Sequence, residues 1–217
     1  MTVYGFKDSD TNAPVYIVRN GLNPEGCEQV VEGLKDKTDV ASHMVGQKIE
    51  TSVDGTRNST VHFFMDPHLK ETLDRWIEVA NYEAGWRYDV TGSELLQFTK
   101  YDSKDKQYYD WHVDGNQCHF STRHFTYNTP SNLRETTQAE LLGTVRKISV
   151  SAVLNDDYEG GEFETKHIEE GKEVVSTIKP RTGDVIIFPA FLSHRVKPVT
   201  KGIRYSVVAW YGGPPFK

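Results

Sequence analysis

Cysteine is scarce in this chain, and basic residues are outnumbered by acidic ones. The 217 residues include only Cys27 and Cys118, which excludes a disulfide framework and favours free thiols in a reducing compartment. Aspartate and glutamate number 31 against 25 lysines and arginines, so the formal net charge is -6. Because proteins that bind nucleic-acid phosphates carry a basic excess or a basic stripe, this balance argues against a nucleic-acid partner.

Long apolar runs are also missing. No stretch approaches the ~20 consecutive apolar residues that a membrane-spanning helix needs. The first residues, MTVYGFKDSD, lack the basic segment and apolar stretch of a secretory signal. We therefore predict a cytoplasmic protein with no membrane partner. Hydrophobic residues make up 37% of the chain, enough for a packed core, and the length suits a single domain over residues 1–217.

Two helices are predicted in the first half of the chain. Asn23 and Asp66 are each followed by proline, which pairs an N-cap residue with the residue favoured at the first helical position. Apolar residues follow both prolines at helical spacing, so each helix has one face suited to packing against a core. We expect these helices to form a supporting region at about residues 20–90.

The second half of the chain changes to short strands bounded by glycine, proline, asparagine and aspartate. The predicted strand sequences are LLQFTKY, KISVSAVLN, GGEFET, KEVVSTI, DVIIFP, HRVKPV and IRYSVVAWY. Strands of this length and spacing are typical of an antiparallel sandwich or jelly roll, here expected over about residues 94–212. The polar, aromatic-rich segment 115–143 is predicted to be a functional loop. The expected fold is mainly β, with flanking helices.

The sequence Trp111-His112-Val113-Asp114-Gly115 is a candidate metal-binding motif. On a strand, alternate side chains share a face, so His112 and Asp114 point to the same side. His194, at the entrance to a later strand, can supply a third ligand. Two histidines and one carboxylate form the facial triad of non-haem Fe(II) oxygenases, which keeps coordination positions open. A closed structural zinc site requires four protein ligands instead.

Arg204 is the candidate partner of an anionic cosubstrate. It begins a strand shortly after His194, and it shares a face of that strand with Ser206. A guanidinium binds a carboxylate through two parallel hydrogen bonds, and a nearby hydroxyl can add a third. The neighbours of Arg204 are valine, alanine and aromatic residues, where a charge without a partner is costly. Arg204 is therefore expected to bind the far carboxylate of a dicarboxylic acid.

Five motifs now stand in order along the chain, within roughly residues 95–211. They are His112-Val113-Asp114, Gly160-Gly161-Glu162-Phe163, Gly183-Asp184-Val185-Ile186-Ile187-Phe188, His194-Arg195-Val196-Lys197-Pro198-Val199 and Gly202-Ile203-Arg204. This arrangement resembles the prolyl 4-hydroxylase-like branch of the Fe(II)- and 2-oxoglutarate-dependent oxygenases. It is similar in detail to the bacterial and phage hydroxylases that carry arginine in the cosubstrate pocket.

The resemblance implies a double-stranded β-helix, a cupin-like jelly roll, that uses Fe(II), 2-oxoglutarate and O2, with ascorbate as reductant. By the family pattern the metal ligands are His112, Asp114 and His194. The same pattern assigns Arg204 and Tyr101 to the cosubstrate, beside Ser206 from the shared strand face, and it assigns Arg146, Tyr109 and Trp210 to the substrate. It also implies that the polar segment 101–112 is a flexible loop.

The expected reaction is hydroxylation of a prolyl residue in a peptide or protein. An alternative with the same chemistry is hydroxylation of a free amino acid or another small metabolite. A third possibility, nucleic-acid demethylation, is disfavoured by the acidic balance. An alternative from another class is a cupin-type binding module without turnover. Collagen-type prolyl hydroxylases usually carry lysine where this chain has Arg204, which weakens the case for a collagen-like substrate.

Overall fold

A computed structural model gives the fold of residues 3–5, 14–37, 55–115 and 144–216. The segment 116–143, which contains Cys118 and nearly all of the predicted functional loop, lies outside these ranges.

Two helices, α1 (Pro24–Leu34) and α2 (Pro67–Glu83), begin at the predicted prolines. The side chains of Asn23 and Asp66 accept hydrogen bonds from backbone N–H groups in the first turns, which satisfies donors that have no partner within the helix. Within the described ranges, no helix is long and apolar enough to cross a lipid bilayer. The buried face of α2 consists of Leu69, Leu73, Ile77 and Ala80.

Strands make up most of the remaining fold, and they occur in both halves of the chain. In chain order they are β1 (Val3–Gly5), β2 (Tyr16–Val18), β3 (Arg57–Asn58), β4 (Thr60–Phe64), β5 (Gly92–Ser93), β6 (Leu96–Asp102), β7 (Tyr108–His112), β8 (Val145–Val153), β9 (Glu159–Gly160), β10 (Phe163–Glu169), β11 (Lys172–Ile178), β12 (Val185–Pro189), β13 (Ser193–Val196), β14 (Val199–Lys201) and β15 (Ile203–Gly213).

The strands form two main antiparallel sheets. In the part of the chain that the structure describes, the larger sheet has the order β1-β2-β12-β8-β15-β6-β4, with β5 paired to β15. The smaller sheet has the order β11-β10-β13-β7-β3, and β14 pairs separately with β9. Two facing sheets with helices on the outer side of the larger one make up the predicted jelly roll.

Strand β12 shows how the larger sheet lies between two hydrophobic layers. Val185 and Ile187 pack in the cluster that contains the α2 face, whereas Ile186 and Phe188 pack in a second cluster that contains residues of the smaller sheet. Both faces of the strand are therefore buried. This explains why its sequence is a continuous apolar run instead of an alternating one.

Two expectations change at this level. The first half of the chain is not only helical, because β1, β2 and β4 extend the larger sheet and β3 extends the smaller one. The prediction of a flexible loop over 101–112 is wrong for most of its length. The strand β6 extends to Asp102, and β7 begins at Tyr108 after a 3-10 turn at Ser103–Asp105.

Candidate active site

Strand pairing brings the three candidate metal ligands together. His112 at the end of β7 lies directly opposite His194 in β13, and Asp114 follows His112 by two residues. The Nε2 atom of His112 is 3.7 Å from Asp114 Oδ1, and that of His194 is 3.6 Å from Asp114 Oδ2. One ligand atom from each residue fits within 4.8 Å of the others. This geometry can hold one metal ion from one side.

Backbone carbonyl groups orient both imidazole rings. The Nδ1 atom of His112 is 2.7 Å from the carbonyl oxygen of Asp110, and that of His194 is 2.9 Å from the carbonyl oxygen of Leu192. Because a carbonyl only accepts hydrogen bonds, Nδ1 donates in each ring and Nε2 keeps its lone pair. Metal-binding histidines are held in this way by an outer partner, so the donor set fits a metal ion.

The pKa shifts leave His112 and Asp114 in the protonation states that a metal requires. Burial, together with the neighbouring His194, lowers the pKa of His112 to about 3. Burial by itself would raise the pKa of Asp114, but His194 and His112 outweigh it and hold that pKa at about 2. Near neutral pH the site therefore presents a neutral His112 and an ionised Asp114.

Tyr109 packs directly against the ring of His112. The two ring centroids are 3.4 Å apart with 10° between the planes, and the guanidinium carbon of Arg57 lies 4.7 Å from the Tyr109 centroid. Burial raises the pKa of Tyr109 to about 12, so its hydroxyl stays protonated. The stack restrains the His112 ring, and the assignment of Tyr109 to the substrate stays a prediction.

Arg204 is the most deeply buried charged residue among those that the structure describes. Its side chain is fully buried, and it lies on β15 opposite Tyr101 of β6. Its Nη1 donates to Ser206 Oγ at 3.0 Å, but Nε and Nη2 have no hydrogen-bond partner among the described residues. A buried cation is costly unless it is paired, so these two donors are suited to an anion that enters from outside.

A single pocket of about 410 Å³, including its open mouth, connects these groups. Its wall includes eight of the nine predicted site residues: His112, Asp114, His194, Arg204, Ser206, Tyr101, Tyr109 and Trp210. Burial raises the pKa of Tyr101, so its hydroxyl can act as a hydrogen-bond donor. A metal-type donor set and an unpaired guanidinium thus share one cavity.

The ninth predicted residue, Arg146, contacts this pocket through its neighbours. Its guanidinium carbon is 4.1 Å from the Trp210 ring centroid, and its Nε and Nη2 donate to the two carboxylate oxygens of Glu94, each at 2.6 Å. Arg146 is not among the pocket-lining residues of the described ranges. Trp210 lines the pocket, and its Nε1 is a buried donor without a hydrogen-bond partner in the same ranges.

Sequence reasoning missed three polar residues of the pocket wall, Arg57, Gln97 and Ser151. Gln97 shares a face of β6 with Tyr101, so strand alternation could have identified it. Arg57 had no such signal, because it reaches the site only through the pairing of β3 with β7, where it lies opposite Tyr109.

Comparison with known proteins agrees with this geometry. The family model described as the 2OG-Fe(II) oxygenase superfamily matches residues 96–212, more than half of the chain. A PKHD-type hydroxylase from Synechococcus sp. (strain JA-2-3B'a(2-13)) is 44% identical over 55 residues, which cover 25% of this chain and 23% of that protein. Human prolyl 3-hydroxylase 2 is 41% identical over 70 residues, covering 31% of this chain and 10% of that protein. The match thus spans a quarter or less of these curated relatives.

Among solved structures, the viral collagen prolyl hydroxylase of Paramecium Bursaria Chlorella virus-1, in complex with 2-oxoglutarate, has a similar fold. The TM-score is 0.60 at 18% sequence identity, and the alignment covers 92% of this chain and 96% of that chain.

Proposed function

The chain belongs to the 2OG-Fe(II) oxygenase superfamily, and from that premise we propose that it hydroxylates a prolyl residue in a peptide or protein. The family implies Fe(II), 2-oxoglutarate and O2 as cofactor and cosubstrates, and we propose ascorbate as the reductant. The observation that supports the proposal most strongly is the shared pocket, where three metal-type ligands and the unpaired Arg204 lie in one cavity.

His112, Asp114 and His194 would hold the iron ion. Three protein ligands on one side leave positions for a cosubstrate and for O2. When bound, iron supplies the oxidative decarboxylation of 2-oxoglutarate to succinate and CO2, coupled to insertion of one oxygen atom into a substrate C–H bond. The chain's own contribution is to fix the imidazole tautomers through Asp110 and Leu192 and to keep Asp114 ionised.

Arg204 would bind the far carboxylate of 2-oxoglutarate. Its free Nε and Nη2 can donate two parallel hydrogen bonds to a carboxylate, while Nη1 stays fixed by Ser206. Tyr101 lies opposite in the sheet and lines the same pocket, so its protonated hydroxyl is available as a further donor. This arrangement would orient the cosubstrate in the pocket that the metal ligands also line.

Gly161 provides a test of the Arg204 position. A Cβ atom added there would lie 3.1 Å from Arg204 Cδ, at a backbone φ of +63°. We expect Gly161→Ala to displace the arginine stem and raise the dissociation constant for 2-oxoglutarate roughly 3- to 10-fold, the effect of a side chain forced off its rotamer. Isothermal titration with the Mn(II)-loaded protein measures this constant.

The matched control for that variant is Gly171→Ala. Gly171 has a similar φ of +76° but open space around the added methyl, so it carries the backbone strain without the contact. Equal 2-oxoglutarate affinities in the two variants would contradict the assigned role of Arg204.

The prolyl substrate is supported by the pocket wall and by the relatives. Aromatic and apolar side chains, including Trp210, Phe163 and Val208, line the cavity beside the metal ligands, which suits a compact apolar ring. The named relatives are a PKHD-type hydroxylase, a prolyl 3-hydroxylase and a collagen prolyl hydroxylase. Arginine at position 204 favours a substrate other than a collagen-like chain.

Succinate formation tests the substrate class. We would incubate the protein with Fe(II), ascorbate and 2-oxoglutarate, add proline-containing peptides, the same peptides with alanine for proline, or free proline, and follow succinate by NMR. Succinate above background with the proline peptides alone is the expected result. Succinate formation stimulated by free proline alone would indicate that the substrate is a free amino acid. Equal stimulation by the alanine peptides would exclude a prolyl target.

A further inference from the structure

We propose that Glu94 and Arg146 form a positioning pair that holds the candidate metal ligand Asp114 and the pocket residue Trp210 in place. The inference rests on the proposed metal site and assigns Arg146 a role through its neighbours, which does not require contact with the substrate.

The guanidinium of Arg146 contacts Glu94, Asp114 and Trp210. Its Nε and Nη2 donate to the two carboxylate oxygens of Glu94, and its Nη1 reaches the backbone carbonyl oxygen of Asp114 at 3.4 Å. One face covers the indole ring of Trp210 at 4.1 Å. Because the two bonds to Glu94 fix the guanidinium plane, they also fix the edge directed at Asp114 and the face that packs on Trp210.

Backbone hydrogen bonds connect the turn after Asp114 to Ala190 and to the start of β8. The N–H of Gly115 donates to the carbonyl oxygen of Ala190 at 2.8 Å. The N–H of Ala190 donates to the carbonyl oxygen of Lys147 at 2.9 Å. A Cβ atom at Gly115 would lie 3.2 Å from the carbonyl oxygen of Arg146, so the turn after Asp114 packs closely against the start of β8. Displacing Arg146 would therefore shift the turn that carries Asp114.

Burial makes the pair a rigid support. The side chains of Arg146 and Glu94 are 12% and 22% exposed. In such surroundings the bidentate pair is less screened by solvent than a surface ion pair and has little freedom to rearrange. Lysine keeps the positive charge but cannot donate to both oxygens of Glu94 in a fixed plane, so Arg146→Lys separates geometry from charge.

Cobalt binding tests the inference without any need for turnover. We expect Arg146→Lys to weaken Co(II) binding roughly 10- to 100-fold, the range found when an outer partner of a metal ligand is removed. The ligand-field absorption of bound Co(II) should also change, because a displaced Asp114 alters the coordination geometry. Glu94→Gln, which keeps the side-chain shape, should weaken binding by a smaller factor and serves as the second variant if Arg146→Lys does not fold.

The matched control is Arg19→Lys, which makes the same change in the Arg19–Asp184 ion pair. That pair also buries its carboxylate, with Asp184 at 1% side-chain exposure, but neither residue lines the pocket of the described ranges. Arg19→Lys is expected to leave Co(II) affinity and absorption unchanged, so a general loss of stability is separated from a shift of the ligand.

Two outcomes would overturn the inference, and they differ. If Arg146→Lys and Glu94→Gln bind Co(II) with wild-type affinity and spectrum while the KM for a peptide rises, Arg146 acts on the substrate alone. If the wild type binds no Co(II), or His194→Ala binds it equally well, the metal site of the proposed function fails, and the positioning role fails with it.

Discussion

Replacing Arg204 with methionine is expected to weaken 2-oxoglutarate binding by roughly 30- to 3,000-fold. Truncating one partner of a buried charged pair costs about 2–5 kcal/mol, and each 1.4 kcal/mol is a factor of ten. The guanidinium is fully buried, and two of its nitrogen atoms have no partner among the described residues, so an incoming carboxylate would supply the missing one. Titration calorimetry of the Mn(II)-loaded protein measures the loss.

The same substitution should not destabilise the cosubstrate-free protein. Removing a buried, incompletely paired cation relieves a desolvation cost, so we expect the free energy of unfolding of Arg204→Met to equal or exceed that of the wild type. Added 2-oxoglutarate should raise the Tm of the wild type and leave that of the variant unchanged. Arg204→Lys, which keeps the charge, is the control. If Arg204→Met binds 2-oxoglutarate with wild-type affinity, Arg204 does not bind the cosubstrate.

Loss of either histidine ligand is expected to abolish metal-dependent turnover. His112→Ala and His194→Ala each remove one of three ligands, so each should weaken metal binding by more than the roughly 10- to 100-fold that an outer-shell partner costs. Because the three ligands act as a unit, the double variant should be no less active than either single variant. Metal content after dialysis and succinate formation with each variant are the measurements.

The control for these variants is His62→Ala. His62 lies on β4 opposite Phe98, whose side chain packs in the hydrophobic cluster of α2, so this histidine faces away from the pocket. Its loss should leave metal content and turnover unchanged. Independent, additive losses from the two candidate ligands would show that they do not bind one ion.

The features that sequence predicted correctly are those with local signals. The N-caps before Pro24 and Pro67 use interactions within one turn, and the strand alternation of β15 needs only neighbouring residues. The shared face of Arg204 and Ser206 is confirmed by their hydrogen bond. The mainly β, jelly-roll architecture was accessible because short strands and turn residues repeat along the second half of the chain.

What the sequence could not predict depends on pairing between distant segments. The short strand β2 joins the larger sheet through β12, and β3 brings Arg57 beside Tyr109. Neither strand is long enough to show a periodic pattern. The bidentate pair between Glu94 and Arg146 likewise joins β8 to residues just before β6, and no spacing rule links the two. A two-residue strand is set by its partner strand more than by its own sequence.

An anaerobic titration tests whether iron and 2-oxoglutarate bind together in the pocket. The protein is loaded with Fe(II) in the absence of O2, and 2-oxoglutarate is added while the visible absorption is recorded. The expected result is a new visible band that requires both iron and 2-oxoglutarate, is absent in His194→Ala and needs far more 2-oxoglutarate in Arg204→Met. Iron that binds without any change in visible absorption on addition of 2-oxoglutarate would show that the pocket does not bind the two together and would favour a binding module without turnover.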